Sequence, residues 1–341
     1  MPTILIAGGY GAVGSKIARQ LSSDAANTII VAGRNLAKAQ DTAFALGGLA
    51  RLLDLANRDT WAAALDGVDL VIVCIDQTET GFLEMVTTRA IAYIDVTAGD
   101  EFFRKAEALT TTGTVLLSVG LAPGLSNLLA MEAAADMEQI DSIEIGLLMG
   151  TGDEHGSAAI AWSTAQMFDP DAKRDDAIID FGPDFGRRRA YFMDFADQHV
   201  LNRTLNGVKT ITRVTYDSAL LTSALFWLGR SFSGNRHMEN LVNRISHMPT
   251  FGSDKCVLTV TAKGRIAGQP VERTAHFFGQ KEAAVTAAMA VAIAEDVLNG
   301  RITTGIHHSH QVVAAKAIFT RMEKWGHGRF AIGPIISSVQ P

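Results

Sequence analysis

Short apolar runs and amphipathic stretches alternate through the first third of the chain. Thr3–Ala7 (TILIA) is apolar and closed by Gly8-Gly9, the pattern of a buried parallel strand. Ala12–Ser23 changes to helical spacing, with Val13, Ile17, Ala18 and Leu21 on one face. Strand-like runs recur at Thr28–Ala32, Leu49–Leu53, Val68–Ile75, Tyr93–Val96 and Thr114–Val119. Helical stretches at Leu36–Leu46, Thr60–Leu65, Gly81–Ile91 and Glu101–Leu109 separate them. Six strands with helices between them predict an α/β fold, a doubly wound parallel sheet. Farther on, Ser142–Met149 alternates as a strand, and Lys255–Ala262 and Val271–Phe278 flank Gly264 and Gly268 as a hairpin. These belong to a second, α+β domain.

Composition narrows the picture. A length of 341 residues exceeds the usual ~100–150 of one domain. With 48% hydrophobic and 19% charged residues the chain is globular rather than disordered. A net charge of −6 argues against a nucleic-acid binder held by phosphate contacts. Two cysteines, Cys74 and Cys256, cannot build a disulfide scaffold and fit a reducing compartment. The long uncharged stretch Ala108–Met131 is interrupted by Gly120-Leu121-Ala122-Pro123-Gly124, which reads as strand, loop and helix rather than a membrane span. We therefore expect a cytoplasmic protein with no membrane or nucleic-acid partner.

The first strand runs into Gly9-Tyr10-Gly11-Ala12-Val13-Gly14, a G-x-G-x-x-G that opens a helix. In that context the spacing is the dinucleotide-binding pattern. Gly9 allows the tight turn, Gly11 lets backbone approach a pyrophosphate, and Gly14 lets the helix pack on the sheet. The helix N-terminus then offers amides and partial positive charge to the phosphates. About 20 residues farther on, an NAD enzyme places an acidic residue against the ribose 2′-hydroxyl. Here that place holds Gly33, followed by Arg34 and Asn35, with Lys38 one turn later. Glycine is expected to leave room for a 2′-phosphate and the guanidinium to bind it, which predicts NADP(H) over NAD(H).

Ligands of open α/β sheets sit outside the carboxyl ends of the strands. Those ends supply Asp54, Ile75, Asp76, Thr97, Ala98 and Gly120 as further cofactor contacts, Asp54 toward the adenine and Ile75 and Asp76 toward the nicotinamide. Asp95, between Ile94 and Val96, reads as buried structure, and Cys74 as a small buried hydrophobe.

Several segments together resemble the saccharopine dehydrogenase-like family of NAD(P)-dependent oxidoreductases. They are the glycine loop, the strand Tyr93-Ile94-Asp95-Val96-Thr97, and Gly120-Leu121-Ala122-Pro123-Gly124 continuing through Ala130, which is similar to the family's G-x-x-P-G-x-x-x-x-x-A transition. The stretch from Thr286 through Leu298-Asn299-Gly300 and Gly305-Ile306 to Gln311-Val312 resembles the closing helix, glycine turn and P-E-x-V segment, with His308-Ser309-His310 in place of the usual proline and acidic residue. The resemblance implies a Rossmann domain built from residues 1–123 plus 283–341 and an inserted substrate and dimerisation domain, 124–282. It also implies a homodimer, a small-molecule substrate, and hydride transfer at a C–N bond of an amino-acid derivative.

Hydride transfer needs a proton donor or acceptor besides the nicotinamide. His155, in the loop Gly152-Asp153-Glu154-His155-Gly156, and Asp76 are the candidates. Trp162, Phe226 and Trp227 are candidates for an apolar pocket, each with helix-face core as the alternative; Arg187-Arg188-Arg189 reads as a solvated strand edge or a carboxylate-attracting patch. His307, His308 and His310 are too close in sequence for an ordinary tetrahedral site, and no metal is expected. Neither a Ser-His-Asp arrangement nor a Tyr-x-x-x-Lys pair is legible. A C=O or C=C reductase on the same scaffold, and a non-catalytic NADPH-sensing regulator, stay open as alternatives.

Overall fold

A computed structural model of the chain describes residues 1–153, 156–246 and 252–337. In chain order the strands are β1 (Thr3–Ala7), β2 (Thr28–Gly33), β3 (Leu49–Leu52), β4 (Leu70–Val73), β5 (Ala92–Asp95), β6 (Thr114–Leu117), β7 (Gln139–Met149), β8 (Ala177–Asp180), β9 (Arg187–Phe192), β10 (Lys209–Tyr216), β11 (Lys255–Ile266), β12 (Gln269–Gln280), β13 (Gly305–His308), β14 (Arg329–Ile332) and β15 (Ile336–Ser337). They fall into two compact units. The first is Met1–Leu125 with Ala283–Gly326, the second Ser126–Glu282 with the chain from His327 on.

The first unit is built on a seven-stranded sheet in the order β13-β6-β5-β4-β1-β2-β3, parallel throughout. Helices cover both faces, so its central strands are apolar on both sides: Ile4, Leu5, Ile6 and Ala7 are fully buried, as are Leu70 through Val73. The strand order reverses beside β1, which has β2 on one side and β4 on the other. The two following connections there leave in opposite directions and open a crevice at the carboxyl ends of β1 and β4. Helix Glu282–Leu298 is apolar on nearly every face, which suits a core helix, and its residues from Val285 to Ala294 are buried. Among the described residues no helix is long and apolar enough to cross a membrane.

The seventh strand, β13, lies outside the six expected from apolar runs. Its sequence, Gly-Ile-His-His, carries no hydrophobic signal; it is held by parallel pairing with β6 and only His308 is buried. The strand expected at Val68–Ile75 is shorter, Leu70–Val73, because Val68 and Asp69 belong to the preceding turn and the chain leaves the sheet after Val73.

The second unit is a mixed sheet in the order β14-β12-β11-β7-β10-β9-β8, with β15 also on β12. β10 runs parallel to β7 and the other neighbours are antiparallel. The β11–β12 hairpin turns at Ala267-Gly268, both in the left-handed region at φ of +50° and +74°. One expectation is corrected here. Residues 327–337 do not return to the first unit: β14 adds to β12 through Ala275–Phe278 and covers an edge that would otherwise expose unpaired backbone. Along β9 the pairing is uneven: Arg187–Arg189 pair with β8 alone, whereas Tyr191 and Phe192 pair with β10, and Arg187 and Arg189 are exposed.

Candidate cofactor site

The carboxyl end of β1 turns through Gly8, at φ +77°, and Gly9, whose amides reach Ala32 O at 2.8 Å and Ile6 O at 3.1 Å. Gly11 N then donates to Gly8 O at 2.8 Å and closes the loop. A methyl on Gly14 would run into Gly8 O and stand 2.9 Å from Gly8 C and Gly9 Cα, all backbone. Only glycine therefore lets the helix Gly14–Leu21 start this close to the loop. At Gly11, by contrast, an added carbon meets nothing within 4 Å but Gly8 O, at 3.1 Å, so the outer side of the loop is open. The helix has no side-chain cap, and the amides of Ala12, Val13 and Gly14 donate to no acceptor among the described residues. Free amides in series at a helix start form a cradle for an anion. The loop thus fits a dinucleotide's pyrophosphate on its own geometry.

β2 ends at Gly33, where the structure differs in detail from the expectation. The space beside Gly33 is taken by the ring of Tyr10: a carbon added to Gly33 would lie 2.5 to 2.9 Å from Tyr10 Cε1, Oη and Cζ. A glycine lets the ring settle on bare backbone, so the room is filled rather than vacant. The Tyr10 hydroxyl accepts a hydrogen bond from Asn35 N at 3.2 Å. Asn35 caps the next helix, Leu36–Leu46, accepting from Lys38 N at 3.1 Å. Arg34 and Lys38 are exposed, and neither side chain makes a hydrogen bond or ion pair among the described residues.

The remaining strand ends are more occupied. Asp54 Oδ1 accepts from Ala56 N at 3.0 Å within its own turn. Ile75 is half-buried beside Gly8, and Asp76 is exposed and makes no hydrogen bond or ion pair among the described residues. At the end of β5, Asp95 is buried as its strand neighbours predict, and it is the centre of a polar network. Asp95, fully buried, accepts from Thr97 N at 2.8 Å, from the Thr97 hydroxyl, from the Tyr93 hydroxyl at 3.1 Å and from Gln77 Nε2 at 3.1 Å. Burial nevertheless pushes its carboxyl up to about 6, because desolvation outweighs four donated bonds. Burial, helped by the Asp95 charge, also raises the Tyr93 hydroxyl and the thiol of the half-buried Cys74. Thr97 and Gln77 are thereby fixed at the rim, while Ala98 is exposed beside them.

After β6 the chain makes a second feature without a local signature. Ser118, at φ +56° and fully buried, lies 2.7 Å from His308 Nδ1, and His308 Nε2 lies 2.9 Å from Glu107 Oε1. Ser309 Oγ donates to Ser118 O at 2.7 Å. This Ser–His–Glu chain has the connectivity of a nucleophilic triad, but its serine is sealed from solvent and the set clamps β13 to β6. Gly120 follows, paired with Gly124 and accepting from Leu125 N at 2.8 Å. The next ring, His310, is pushed down to about 3 by burial and by His308.

No protein-family model and no curated protein matches the sequence. Solved structures do match. Saccharopine dehydrogenase (L-Glu forming) from Saccharomyces cerevisiae aligns over 98% of this chain and 100% of its own, at 15% identity and a TM-score of 0.74. The chain has the saccharopine dehydrogenase fold. GenD2 from gentamicin A biosynthesis, in complex with NAD, matches over 98% and 96% at 14% identity and a TM-score of 0.43. DAP dehydrogenase of C. glutamicum, in complex with DAP, matches over 93% and 95% at 15% identity and a TM-score of 0.47.

The other candidates lie in the second unit or outside the described residues. His155 lies outside the described residues. In the second unit Phe226 is buried and stacked on Tyr191 at 4.2 Å, Trp162 packs edge-on to Phe195 at 4.8 Å, and Trp227 is 64% exposed, so the three line no common pocket wall. Arg188 is spent on backbone, donating to Phe185 O and Asp217 O, and Arg189 stands 3.9 Å from Asp176.

Proposed function

We propose that this protein is an NADP-dependent oxidoreductase that moves a hydride between NADP(H) and a small substrate at a C–N bond, a secondary amine or imine of an amino-acid derivative. The observation that carries the cofactor reading is the row of unpartnered amides at Ala12, Val13 and Gly14, set at the switch point of a parallel sheet. These amides hold the pyrophosphate; the free Arg34 guanidinium, with Lys38 and the Asn35 side chain, takes the ribose phosphate. Asp54 serves the adenosine half, and Ile75, Thr97, Ala98 and Gly120 line the nicotinamide half. The bound nicotinamide supplies the hydride.

The chain's own residues then have two tasks. The Gln77–Tyr93–Asp95–Thr97 network keeps the ends of β4 and β5 rigid under the reacting ring. Asp76, exposed and uncommitted, handles the nitrogen proton, with His155 as the second candidate. The C–N assignment is supported by the segments similar to the saccharopine dehydrogenase-like family and by the fold shared with a saccharopine dehydrogenase. The soluble homodimer is part of the same reading. NADPH oxidation is to be followed at 340 nm across keto acids paired with amines and across preformed imines. Turnover of an imine but not of simple ketones or enones is expected. Turnover confined to ketones or enones would move the chemistry to C=O or C=C, and tight NADPH binding without any turnover would favour a sensor.

A further inference from the structure

Tyr10 stands at the first variable position of the glycine loop, yet its ring lies on the far end of β2, over Gly33. Its hydroxyl is anchored there by Asn35 N at 3.2 Å. We propose that Tyr10 is a second specificity-determining residue beside Arg34: its ring closes the position from which an acidic side chain would select ribose hydroxyls.

The geometry carries this in two steps. Any side chain at 33 needs a Cβ, and that atom would sit within 2.9 Å of two ring carbons and the hydroxyl oxygen of Tyr10. An aspartate can enter only if the ring swings away and abandons Asn35 N. Gly33 and Tyr10 are therefore a matched pair, and the chain is closed to a carboxylate at this strand end while Tyr10 stays. The ring stands where an aspartate would reach the ribose, so the 2′-hydroxyl of NADH meets no carboxylate there, while the Tyr10 hydroxyl is engaged by Asn35 N. A 2′-phosphate reaches past the ring to the free guanidinium of Arg34.

The inference rests on the nucleotide reading above, and its test separates the two. NADPH and NADH are titrated calorimetrically into the intact protein and into Tyr10→Phe, Tyr10→Ala, Gly33→Asp and the Tyr10→Ala/Gly33→Asp double variant, each checked for a folded thermal transition. Tyr10→Phe keeps the ring without any clash and is expected to hold the NADPH:NADH affinity ratio within about three-fold, while Tyr10→Ala narrows it by about three-fold or more. Gly33→Asp loses NADPH without a matching gain for NADH, and the double variant binds NADH about ten-fold tighter than Gly33→Asp alone. Gly33→Asp that gains NADH as fully as the double variant, or Tyr10→Ala with an unchanged ratio, overturns the role of Tyr10 and leaves the NADP reading standing. An intact protein that binds neither nucleotide overturns the NADP reading, and this proposal with it.

Discussion

Asp95 offers a test of the rigid floor beneath the site. Its carboxyl is fully buried, and burial raises it from 3.8 to about 6. In the unfolded chain it titrates near the ordinary value. The native state therefore takes up the proton first as pH falls. Stability from this group is present in full below pH 4 and is lost as pH rises through 6. A shift of about two units corresponds to about 3 kcal/mol at ~1.4 kcal/mol per unit. Asp95→Asn removes the ionisation and keeps an acceptor for Thr97. Its new amide faces Gln77, which can turn its own amide over, since Gln77 Oε1 is buried with no partner among the described residues. The variant is thus expected to lose stability relative to the parent at pH 4 and to regain about 3 kcal/mol of that difference by pH 7. Urea unfolding at a series of pH values measures this, followed by Trp61 and Trp325, both in the same unit, with Trp162 and Trp227 replaced by Phe. His310, held down near 3, titrates in the opposite sense over the same interval, but it does so in both proteins and cancels in the difference. Parallel pH profiles for parent and variant would refute the reasoning.

Other outcomes follow from the same geometry. Arg34→Ala should weaken NADPH by about 2 kcal/mol, roughly thirty-fold, and leave NADH unchanged, as read by calorimetry. Gly14→Ala forces the Gly8–Gly9 backbone to retreat; a loss of about 2 kcal/mol in denaturant unfolding, together with weaker nucleotide binding, is expected. His308→Ala strips the buried Ser118 hydroxyl of its ring partner and should cost about 2–3 kcal/mol in the same assay. For His310 the depressed value means that stability is complete above pH 6.5 and falls toward pH 3; His310→Gln should flatten that acid limb by about 3 kcal/mol between pH 6.5 and 4.

The parts of the fold visible in the sequence are those set by local patterning. TILIA followed by the glycine loop announces strand, turn and helix because each residue type serves a backbone need within a dozen positions. β13 was invisible because a pairing strand at the border of a sheet needs little apolar surface, and Gly305–His308 has little. The return of β14 to β12 was equally hidden, since only the open edge of a distant hairpin calls for it. The site divides the same way. Gly9 to Gly14 and Arg34 are read from spacing. Ser118, His308 and Glu107 meet across 190 and 201 positions, and Tyr10 meets Gly33 because β1 and β2 are parallel neighbours whose carboxyl ends lie side by side. Tyr93, Asp95 and Thr97 lie two apart on one strand and its exit, so the alternation that puts them on one face was a usable signal; Gln77, 18 positions from Asp95, was not.

The central claim is that a pyridine dinucleotide with a ribose phosphate lies on the free amides of Ala12, Val13 and Gly14 and on Arg34. Its most direct test is calorimetric titration of the purified protein with NADPH and, separately, NADH. The account predicts saturable binding of NADPH at least about ten-fold tighter than NADH. Absence of heat with both nucleotides, or equal affinity for the two, would contradict it.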